Sequence, residues 1–531
     1  MKLAVQSLFM LYALSQVAPS FAAPATSSGS FPECASSNAR SDAIKAAFLH
    51  AYDGYVKYAW GHDESLPKSK GADDTLSGWG ATIFDAIDTM VIMGLDDLYD
   101  KALDFVLKTD FTKTKSGPAK GFETGIRYLG GLLSANDLRP NPGLVKKAVE
   151  LTENVLLPLF SSPSGAPYTF MDVGSGPEKT STINLAEFGT YSLEFTRLSQ
   201  ITGDDKYAKI ANDLINRAME QPTRLPGLYP TSWKVNDFTP DNSSIVTVGA
   251  GGDSFYEYLS KNYILLGGSN QKLMDTWVKS VNSIKTYLLS PTAENPNIKY
   301  VASINNSTVT YSSDELICFW PGNILLGMSQ MNTDTSEFGE FAKTFMDSCM
   351  NIWENTATGL APESWSWKPQ KAATDGPLGK FSQGLKDAAN ALKKLGEKLG
   401  HLRRKRATAD APFTVETKYY DLRPETIESI FYFFRVTGDT KYQDDAWKIF
   451  QAIEKYTKTD YGYTMYNNVN SVDIAANQGD FQESFFFAET LKYLYLTFVD
   501  PSCMSLDDYV FNTEAHPFKL PKPITFQKTL S

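Results

Sequence analysis

Thr202-Gly203-Asp204-Asp205-Lys206-Tyr207 recurs later in the chain as Thr437-Gly438-Asp439-Thr440-Lys441-Tyr442. Each copy follows an aromatic segment whose apolar residues have helical spacing, and each precedes an amphipathic segment. Glycine commonly ends one helix, and an acidic or polar residue commonly begins the next. The repeat therefore predicts two helix-turn-helix units.

Helical spacing of apolar residues extends through most of the chain, for example at Leu129, Leu132 and Leu133. Long alternating strand patterns are scarce, and we expect short strands only near 461–465 and around Val510. Helical hairpins cannot bury their apolar faces singly, so they must stack on their neighbours. A stack that closes into a ring would gather the inner-helix ends around one cavity. We therefore predict a mainly α protein, an (α/α) barrel instead of an open superhelix.

Acidic residues stand at the starts of several predicted helices, beside glycine, proline or aromatic residues. The acids in question are Glu123, Glu187, Asp253, Glu363, Glu425, Glu428 and Glu489. Any one of them is explained by the helix dipole and the free N–H groups of a first helical turn. Gathered at one end of a ring, the set would form an acidic cavity suited to a hard cation and to carboxylate chemistry.

One segment, at about 371–412, breaks the helical pattern. It is rich in Gly, Ala and Lys and contains Arg403-Arg404-Lys405-Arg406. We interpret it as a solvated basic insertion. The alternative is a processing site after Arg406, which mass spectrometry of the mature protein would reveal.

The N-terminus, residues 1–22, has the pattern of a secretory signal peptide. Lys2 is followed by a mostly apolar run, and Ser20-Phe21-Ala22 has the form of a cleavage site. The alternative is an uncleaved anchor, but the run is shorter than the ~20 residues that span a bilayer. No later stretch is long and apolar enough to cross a membrane. We expect a protein of the secretory pathway, either exported or retained in its lumen.

The cysteines and the glycosylation acceptors fit that compartment. Four cysteines allow two disulfides with three connectivities, and we favour Cys318 with Cys349, which leaves Cys34 with Cys503. Without a C-x-x-C pair, a zinc site is disfavoured. Three asparagines, at Asn242, Asn305 and Asn306, begin N-x-S/T sequons, which predict surface loops.

Charge and histidine content exclude other classes of protein. The net charge of −11 argues against a nucleic-acid partner, because phosphate backbones are bound by basic surfaces. Only four histidines are present, and none has H-E-x-x-H spacing, which disfavours a zinc hydrolase.

Several long motifs together resemble one known family, the class I α-1,2-mannosidases of glycoside hydrolase family 47. The resemblance extends from about residue 45 to 518. It is carried by 55–64 (YVKYAWGHDE), 81–89 (ATIFDAIDT), 123–134 (ETGIRYLGGLLS), 422–429 (LRPETIES) and 512–517 (NTEAHP).

That resemblance implies a fold and a domain organisation. The fold is an (α/α)7 barrel of helical hairpins, blocked at one end by a C-terminal β-hairpin that carries Thr513 and Glu514 into the cavity. We therefore expect a signal peptide at 1–22, an N-terminal tail at 23–44, the catalytic barrel at 45–518 and a C-terminal tail at 519–531.

The resemblance also implies a cofactor and a mechanism. Thr513 would ligate Ca²⁺ through its carbonyl and hydroxyl oxygens, with waters held by surrounding carboxylates. Family enzymes invert the anomeric centre, so one carboxyl protonates the leaving oxygen and another activates water. By motif position Glu123 is the expected acid and Glu425 the expected base. Asp253 is a contender for the acid and otherwise orients sugar hydroxyls.

Further acids match cavity positions of the family, where they hold calcium-bound waters or sugar hydroxyls. They are Glu187, Glu363, Glu428, Glu489 and Glu514. Arg127 and Arg423 are expected to pair with these carboxylates. His516 is expected to be a structural hydrogen-bonding residue.

Two departures from the family pattern stand out. Family members that remove a single mannose have the pattern Arg-x-Asp at the residues that are Gly251, Gly252 and Asp253 here. Because Gly251 stands in place of the arginine, the resemblance implies a broader branch tolerance. The stretch 314–319 (DELICF) replaces a pattern with His-Leu before Cys-Phe, which would alter local packing or contacts near the calcium.

These observations predict a secreted, monomeric, Ca²⁺-dependent exo-α-1,2-mannosidase. Its partner would be a high-mannose oligosaccharide or glycoprotein, trimmed at terminal α-1,2-linked mannoses. Two alternatives remain open from the sequence: a mannose-binding lectin or folding-surveillance factor on the same scaffold, and an (α/α)-barrel hydrolase for another polysaccharide.

Overall fold

A computed structural model describes residues 34–306, 308–331, 334–370 and 411–524. The predicted signal peptide, the first part of the predicted N-terminal tail and nearly all of the basic insertion lie outside these residues. So does the end of the predicted C-terminal tail, from residue 525 onward.

Within the described residues, long helices alternate between an outer and an inner layer. The outer helices are α1 (Ala39–Tyr58), α3 (Asp96–Lys108), α5 (142–156), α7 (Lys206–Met219), α9 (271–288), α11 (Ser336–Glu354) and α13 (Lys441–Tyr456). The inner helices are α2 (Ala81–Ile92), α4 (121–138), α6 (185–202), α8 (Asp253–Leu265), α10 (315–328), α12 (Glu425–Thr437) and α14 (486–498). Short helical turns lie at Leu157–Phe160 and Ile474–Asn477.

Burial distinguishes the two layers. In the outer helix α7 the buried residues are Tyr207, Ala211, Leu214, Ile215 and Ala218, which form one stripe. In the inner helix α12 nearly every residue is buried, as expected for a helix surrounded by protein. The patterns place α7 on the surface of the molecule and α12 inside it.

The inner helices close into a ring. Each contacts the next along the chain, and α14 packs against α2, which completes the circle. The outer helix α1 packs against the inner helix α14. The first and the last long helices of the described chain therefore lie side by side. The predicted barrel of helical hairpins is confirmed, and an open superhelix is excluded.

The repeated TGD stretches are the turns of two hairpins. Gly203 and Gly438 have φ of +74° and +69°, and each follows an inner helix as its left-handed cap. Glycine adopts this conformation without the penalty that a β-carbon brings. Both predicted helix-turn-helix units are therefore present.

In the described parts of the chain the strands are short, and the pairs among them are antiparallel. They are β1 (Glu64–Leu66), β2 (Gly71–Asp73), β3 (Ala119–Lys120), β4 (Phe170–Asp172), β5 (Gly176–Pro177), β6 (Thr182–Asn184), β7 (Ser232–Lys234), β8 (Thr239–Pro240), β9 (Leu289–Pro291), β10 (Lys299–Val301), β11 (Ser303–Asn305), β12 (Thr308–Thr310), β13 (Ser312–Asp314), β14 (Ser364–Ser366), β15 (Thr414–Thr417), β16 (Lys458–Thr459), β17 (Gly462–Tyr463), β18 (Tyr509–Phe511) and β19 (Pro517–Lys519). Strand β17 lies where a strand was expected near 461–465, and β18 includes Val510.

The last two strands form a hairpin whose tip lies inside the ring. The Asn512 side-chain oxygen accepts the backbone N–H groups of Glu514 and His516, at 2.9 and 2.8 Å, which shapes the tip. His516 is fully buried, and its Nδ1 lies 2.7 Å from Asp88 of α2. His516 is therefore a structural residue of the hairpin, as predicted.

Two disulfides are present, with the predicted connectivity. Cys318 pairs with Cys349, which joins the inner helix α10 to the outer helix α11. Cys34 pairs with Cys503 across a sequence separation of 469 residues. The second bond fastens the start of the described chain to the segment before the C-terminal hairpin.

Helix α1 begins at Ala39, before the expected start of the barrel at residue 45. The last residues assigned to an N-terminal tail therefore belong to the first outer helix, and Cys34 is anchored by its disulfide. Asn242, Asn305 and Asn306 are exposed, as a glycosylation acceptor must be. Among the described helices, none combines the length and apolar character needed to span a membrane.

Candidate active site

A cavity of about 280 Å³ opens at the N-terminal ends of the inner helices. The predicted site residues that line it are Glu123, Arg127, Glu187, Asp253, Arg423, Glu425, Glu489, Thr513 and Glu514. Ligand pockets in proteins typically measure ~300–1,000 Å³, so this cavity suits a small polar ligand such as one sugar ring. Residues from distant parts of the chain thus meet at one site, as the ring predicted.

Glu363 and Glu428 lie behind the lining. Glu363 accepts hydrogen bonds from Nε of Arg423, at 3.0 and 3.1 Å. Glu428 is only 6% exposed, and Tyr493 donates to it. Both acids therefore support the lining residues instead of facing the cavity.

Glu123 is held by two cations. Nε of Arg127 lies 3.0 Å from its carboxylate, and Nζ of Lys120 lies 3.7 Å away. Arg127 is four residues after Glu123 on a segment with π-helical hydrogen bonding, Thr124–Leu129. Interruptions of this kind occur frequently at functional sites. The two cations hold the Glu123 carboxylate at the wall of the cavity.

Arg127 also joins this side of the cavity to the hairpin. Its guanidinium contacts Glu514 at the hairpin tip and lies 3.2 Å from Asp85 of α2. Because the group is buried and always charged, its removal would leave several acids without a counter-ion. The predicted pairing of Arg127 with cavity acids is confirmed.

Arg423 stands across the cavity beside the expected base. It pairs with Glu363, and its Nη1 lies 3.9 Å from Glu425. The ring of Phe485 contacts both arginines, with centroid distances of 5.7 Å for Arg127 and 5.5 Å for Arg423. The aromatic ring of Phe485 therefore lies between the two guanidinium groups and lines the cavity.

Asp253 and Glu425 are the first residues of their helices, and both are partly buried in the cavity wall. Burial raises the pKa of Asp253 from 3.8 to about 7 and that of Glu425 from 4.5 to about 7. Oε2 of Glu425 is buried without a hydrogen-bond partner within the described chain. An unpartnered buried carboxylate oxygen is costly, and a bound ligand, water or cation would satisfy it.

Thr513 is the half-exposed residue of an otherwise buried hairpin tip. In the part of the chain that the structure describes, no hydrogen bond uses its carbonyl or hydroxyl oxygen. Two oxygens of one residue thus remain available to a ligand. Such hard oxygens are typical ligands of Ca²⁺.

The acids around Thr513 repel one another. Burial raises the pKa of Glu489 and Glu514 well above the usual range. The charge of Glu514 raises the pKa of Glu489 further. The charges of Asp85 and Glu123 raise the pKa of Glu514 against the opposing effect of Arg127. Burial likewise raises the pKa of Glu428 to about 8, against the opposing effect of Lys261. A divalent cation at Thr513 would relieve this repulsion, so the residues present fit the calcium that the family resemblance implies.

Sequence reasoning missed the aromatic Phe485 and three charged residues of the site. Lys120 pairs with Glu187 at 3.3 Å and with Glu123 at 3.7 Å. Its position three residues before Glu123 is the sequence signal that could have indicated this pairing. Glu315 is buried at the start of α10, where it accepts a hydrogen bond of 2.7 Å from Thr426. Glu315 lies in the stretch 314–319, which departs from the family pattern. Lys261 is buried and pairs with Glu257 and Glu428. No local sequence pattern predicts its burial or these partners.

Gly251 lines the cavity beside Asp253. Its φ is +84°, and a β-carbon added there would meet only Thr231, at 3.9 Å. Space is therefore available for a side chain, although the backbone conformation favours glycine.

A larger surface groove of about 810 Å³ lies between the outer helices α11 and α13. It contains none of the predicted site residues. The chemistry suggested by the sequence is therefore located in the smaller internal cavity.

Comparison with known families agrees with this site. Residues 47–520 match the model of Glycosyl hydrolase family 47. The chain belongs to this family. Membership in family 47 makes it a glycoside hydrolase with an (α/α)7 barrel, in agreement with the ring of hairpins.

Fungal members of family 47 resemble the chain along nearly its whole length. Mannosyl-oligosaccharide alpha-1,2-mannosidase 1B of Aspergillus oryzae is 36% identical, covering 96% of this chain and 98% of the relative. The mannosyl-oligosaccharide alpha-1,2-mannosidase of Penicillium citrinum is 36% identical, covering 91% and 93%. The solved alpha-1,2-mannosidase from Trichoderma reesei superposes with a TM-score of 0.81 at 32% identity, covering 92% of this chain and all of that structure.

Proposed function

We propose that this family 47 hydrolase is an inverting, Ca²⁺-dependent exo-α-1,2-mannosidase that trims terminal mannoses from high-mannose N-glycans. The observation that carries the proposal is the convergence of Thr513, Glu123, Asp253 and Glu425 on one cavity. The names of the similar fungal enzymes supply the linkage and the class of substrate.

Ca²⁺ bound at Thr513 would supply a charge that holds sugar hydroxyls and offsets the surrounding acids. The chain's own residues do the remaining work. Phe485 provides an apolar surface for the sugar ring, and the two arginines keep neighbouring carboxylates oriented. Inversion needs an acid on the leaving-group side and a base that takes a proton from water on the opposite face. Glu425, buried and with one oxygen free, is the proposed base.

The structure gives the two candidate acids different environments. Glu123 lies beside two cations, with Nε of Arg127 at 3.0 Å and Nζ of Lys120 at 3.7 Å from its carboxylate. Asp253 is buried, which raises its pKa to about 7, so that it retains a proton up to neutral pH. Motif position favours Glu123, and burial favours Asp253.

Matched variants separate these assignments. On Man-α-1,2-Man, the true acid's amide variant should lower kcat by ~10²–10⁴-fold. On α-mannosyl fluoride, whose leaving group needs no proton, the same variant should stay close to the unmodified enzyme. We expect this selective loss in Glu123→Gln or in Asp253→Asn, but not in both. Equal losses on both substrates in both variants would contradict an acid role for either residue.

We propose broad branch tolerance because Gly251 leaves the rim of the cavity open. Gly251→Arg should place a guanidinium at the rim and restrict the products formed from a nine-mannose glycan. The hydrolysis of Man-α-1,2-Man should change less, since the disaccharide lacks the excluded branches. Gly251→Ala is the control, because it introduces the same backbone strain without a long side chain. An unchanged product distribution in Gly251→Arg would refute this source of tolerance.

Incubation with a labelled nine-mannose glycan, with and without Ca²⁺, tests the function as a whole. Removal of only the terminal α-1,2-linked residues, with the β-anomer released first, is the expected result. Binding without hydrolysis would support the lectin alternative. Cleavage of other linkages would support the polysaccharide alternative.

A monomer in the secretory pathway fits this activity. Two disulfides form in oxidising compartments, and the exposed Asn242, Asn305 and Asn306 are acceptors used only there.

A further inference from the structure

Lys261 is an ammonium group buried inside the barrel, on the inner helix α8. It has no exposed surface. Its Nζ contacts Glu257, lies 3.3 Å from Glu428 and donates to the carbonyl oxygen of Asn512 at 3.4 Å. A buried charge persists only when it is paired, and the two acids satisfy that need. The third contact is different, because it reaches the backbone next to Thr513.

Tyr258, almost one turn earlier on α8, contacts the same peptide group. Its hydroxyl oxygen accepts the N–H of Thr513 at 3.3 Å and donates to Glu194 at 2.6 Å. The carbonyl of Asn512 and the N–H of Thr513 belong to one peptide bond. The Asn512 carbonyl also accepts the N–H of Ala515 within the tip, at 3.2 Å. Helix α8 therefore supplies the contact to the N–H of this peptide and a second contact to its carbonyl oxygen.

Helix α8 also carries a candidate catalytic acid. Asp253, Glu257 and Lys261 follow one another at intervals of four residues, which places them on one face of the helix. The face runs from the cavity to the hairpin tip over ~12 Å, at 1.5 Å per residue. Because α8 is buried nearly throughout, it is a rigid link between the two places.

We infer that Tyr258 and Lys261 are positioning residues that clamp the 512–513 peptide and so fix Thr513 relative to Asp253. The clamp presents the carbonyl and hydroxyl oxygens of Thr513 to the cavity, since its N–H is turned toward α8. This inference rests on the calcium role proposed for Thr513. Supporting residues of this kind commonly change metal affinity by ~10–100-fold when they are altered.

The chain offers a matched pair of variants for the test. Tyr256 is a buried tyrosine on the same helix, and its hydroxyl accepts a backbone N–H from Tyr229 at 2.9 Å. Tyr258→Phe and Tyr256→Phe thus each remove one buried hydroxyl that accepts one backbone N–H. Only Tyr258→Phe affects the hairpin tip.

The measurement is isothermal titration of Ca²⁺ into the calcium-depleted full chain, together with Tm. We expect Tyr258→Phe to raise the Kd for Ca²⁺ by ~10–100-fold and Tyr256→Phe to leave it unchanged. Tm should fall in both variants, and further in Tyr258→Phe, which also loses the hydrogen bond to Glu194. A double variant, Glu257→Gln with Lys261→Met, should also raise the Kd, because it removes the second half of the clamp and one of its paired acids together.

Two results would overturn the inference, and they are distinguishable. If the unmodified protein binds Ca²⁺ and the clamp variants bind it with the same Kd, the positioning role is wrong while the proposed function stands. If the unmodified protein binds no Ca²⁺, the calcium assignment fails and the inference fails with it.

Discussion

Glu425→Gln should lower kcat on Man-α-1,2-Man by ~10²–10⁴-fold, with KM changed little. The amide has nearly the shape of the carboxylate but cannot take a proton from the attacking water. Sugar binding depends on other lining residues, so the loss should appear in kcat. Initial rates give kcat and KM. Because the variant should hydrolyse Man-α-1,2-Man only slowly, titration with this disaccharide gives its Kd for the substrate.

The stability of this variant provides a second readout. Glu425 is buried with an unpartnered oxygen, and burial raises its pKa to about 7. Its neutral replacement should therefore leave Tm unchanged or higher. Glu340→Gln, on the exposed side of α11, is the control and should alter neither kcat nor Tm. Turnover near that of the unmodified enzyme in Glu425→Gln would reject Glu425 as the base.

Removal of Ca²⁺ with EGTA should abolish measurable hydrolysis and make the stability fall as pH rises. In the folded protein, burial raises the pKa of Asp253 and Glu425 to about 7 and that of Glu428 to about 8. The unfolded chain loses these protons at lower pH, from 3.8 to 4.5. Between about pH 4 and pH 8 the native state thus binds more protons than the unfolded state, so the free energy of unfolding decreases with increasing pH.

The size of this effect follows from the pKa shifts. One pKa unit corresponds to about 1.4 kcal/mol, so each carboxyl opposes folding by a few kcal/mol once it is charged. Thermal unfolding in EGTA at pH 5, 6, 7 and 8 should show a falling Tm. Added Ca²⁺ should raise Tm most at pH 8 and restore activity.

Mg²⁺ is the control for this experiment. It prefers near-ideal octahedral geometry and gives up its waters reluctantly, so it should not restore full turnover. Full activity after exhaustive chelation would refute the calcium role. A Tm in EGTA that is independent of pH would show that folding does not raise the pKa of these carboxyls in the cation-free protein, and would contradict the prediction.

The fold was largely predictable because its signals are local. Gly203 and Gly438 marked the hairpin turns, and both adopt the left-handed conformation that such turns require. The glutamates at helix starts were visible one by one, and the closed ring was the simplest way to bring them together. The even number of cysteines and the predicted oxidising compartment indicated two disulfides.

The depth of each acid in the site was not predictable from local signals. The prediction that Glu363 begins a helix was wrong, because the residue directly precedes strand β14, whereas Glu428 does lie in the first turn of α12. Both acids lie behind the cavity, with Arg423, Lys261 and Tyr493 as partners. Those partners are set by packing between separate elements. Lys261, which contacts a carbonyl 251 positions away in the chain, illustrates the limit. No periodicity in either segment encodes that contact.

The C-terminal hairpin gives this enzyme a built-in order of assembly. Every helix of the ring precedes Thr513 in the chain, so a ribosome that has translated all fourteen helices has not yet added the residue proposed to hold the metal. A nascent or truncated polypeptide ending near residue 500 would contain Glu123, Asp253 and Glu425 without a working centre. Hydrolysis would thus begin only after Thr513 has been added and the hairpin has entered the ring, and a truncation just before this residue would silence a polypeptide that contains every helix of the ring.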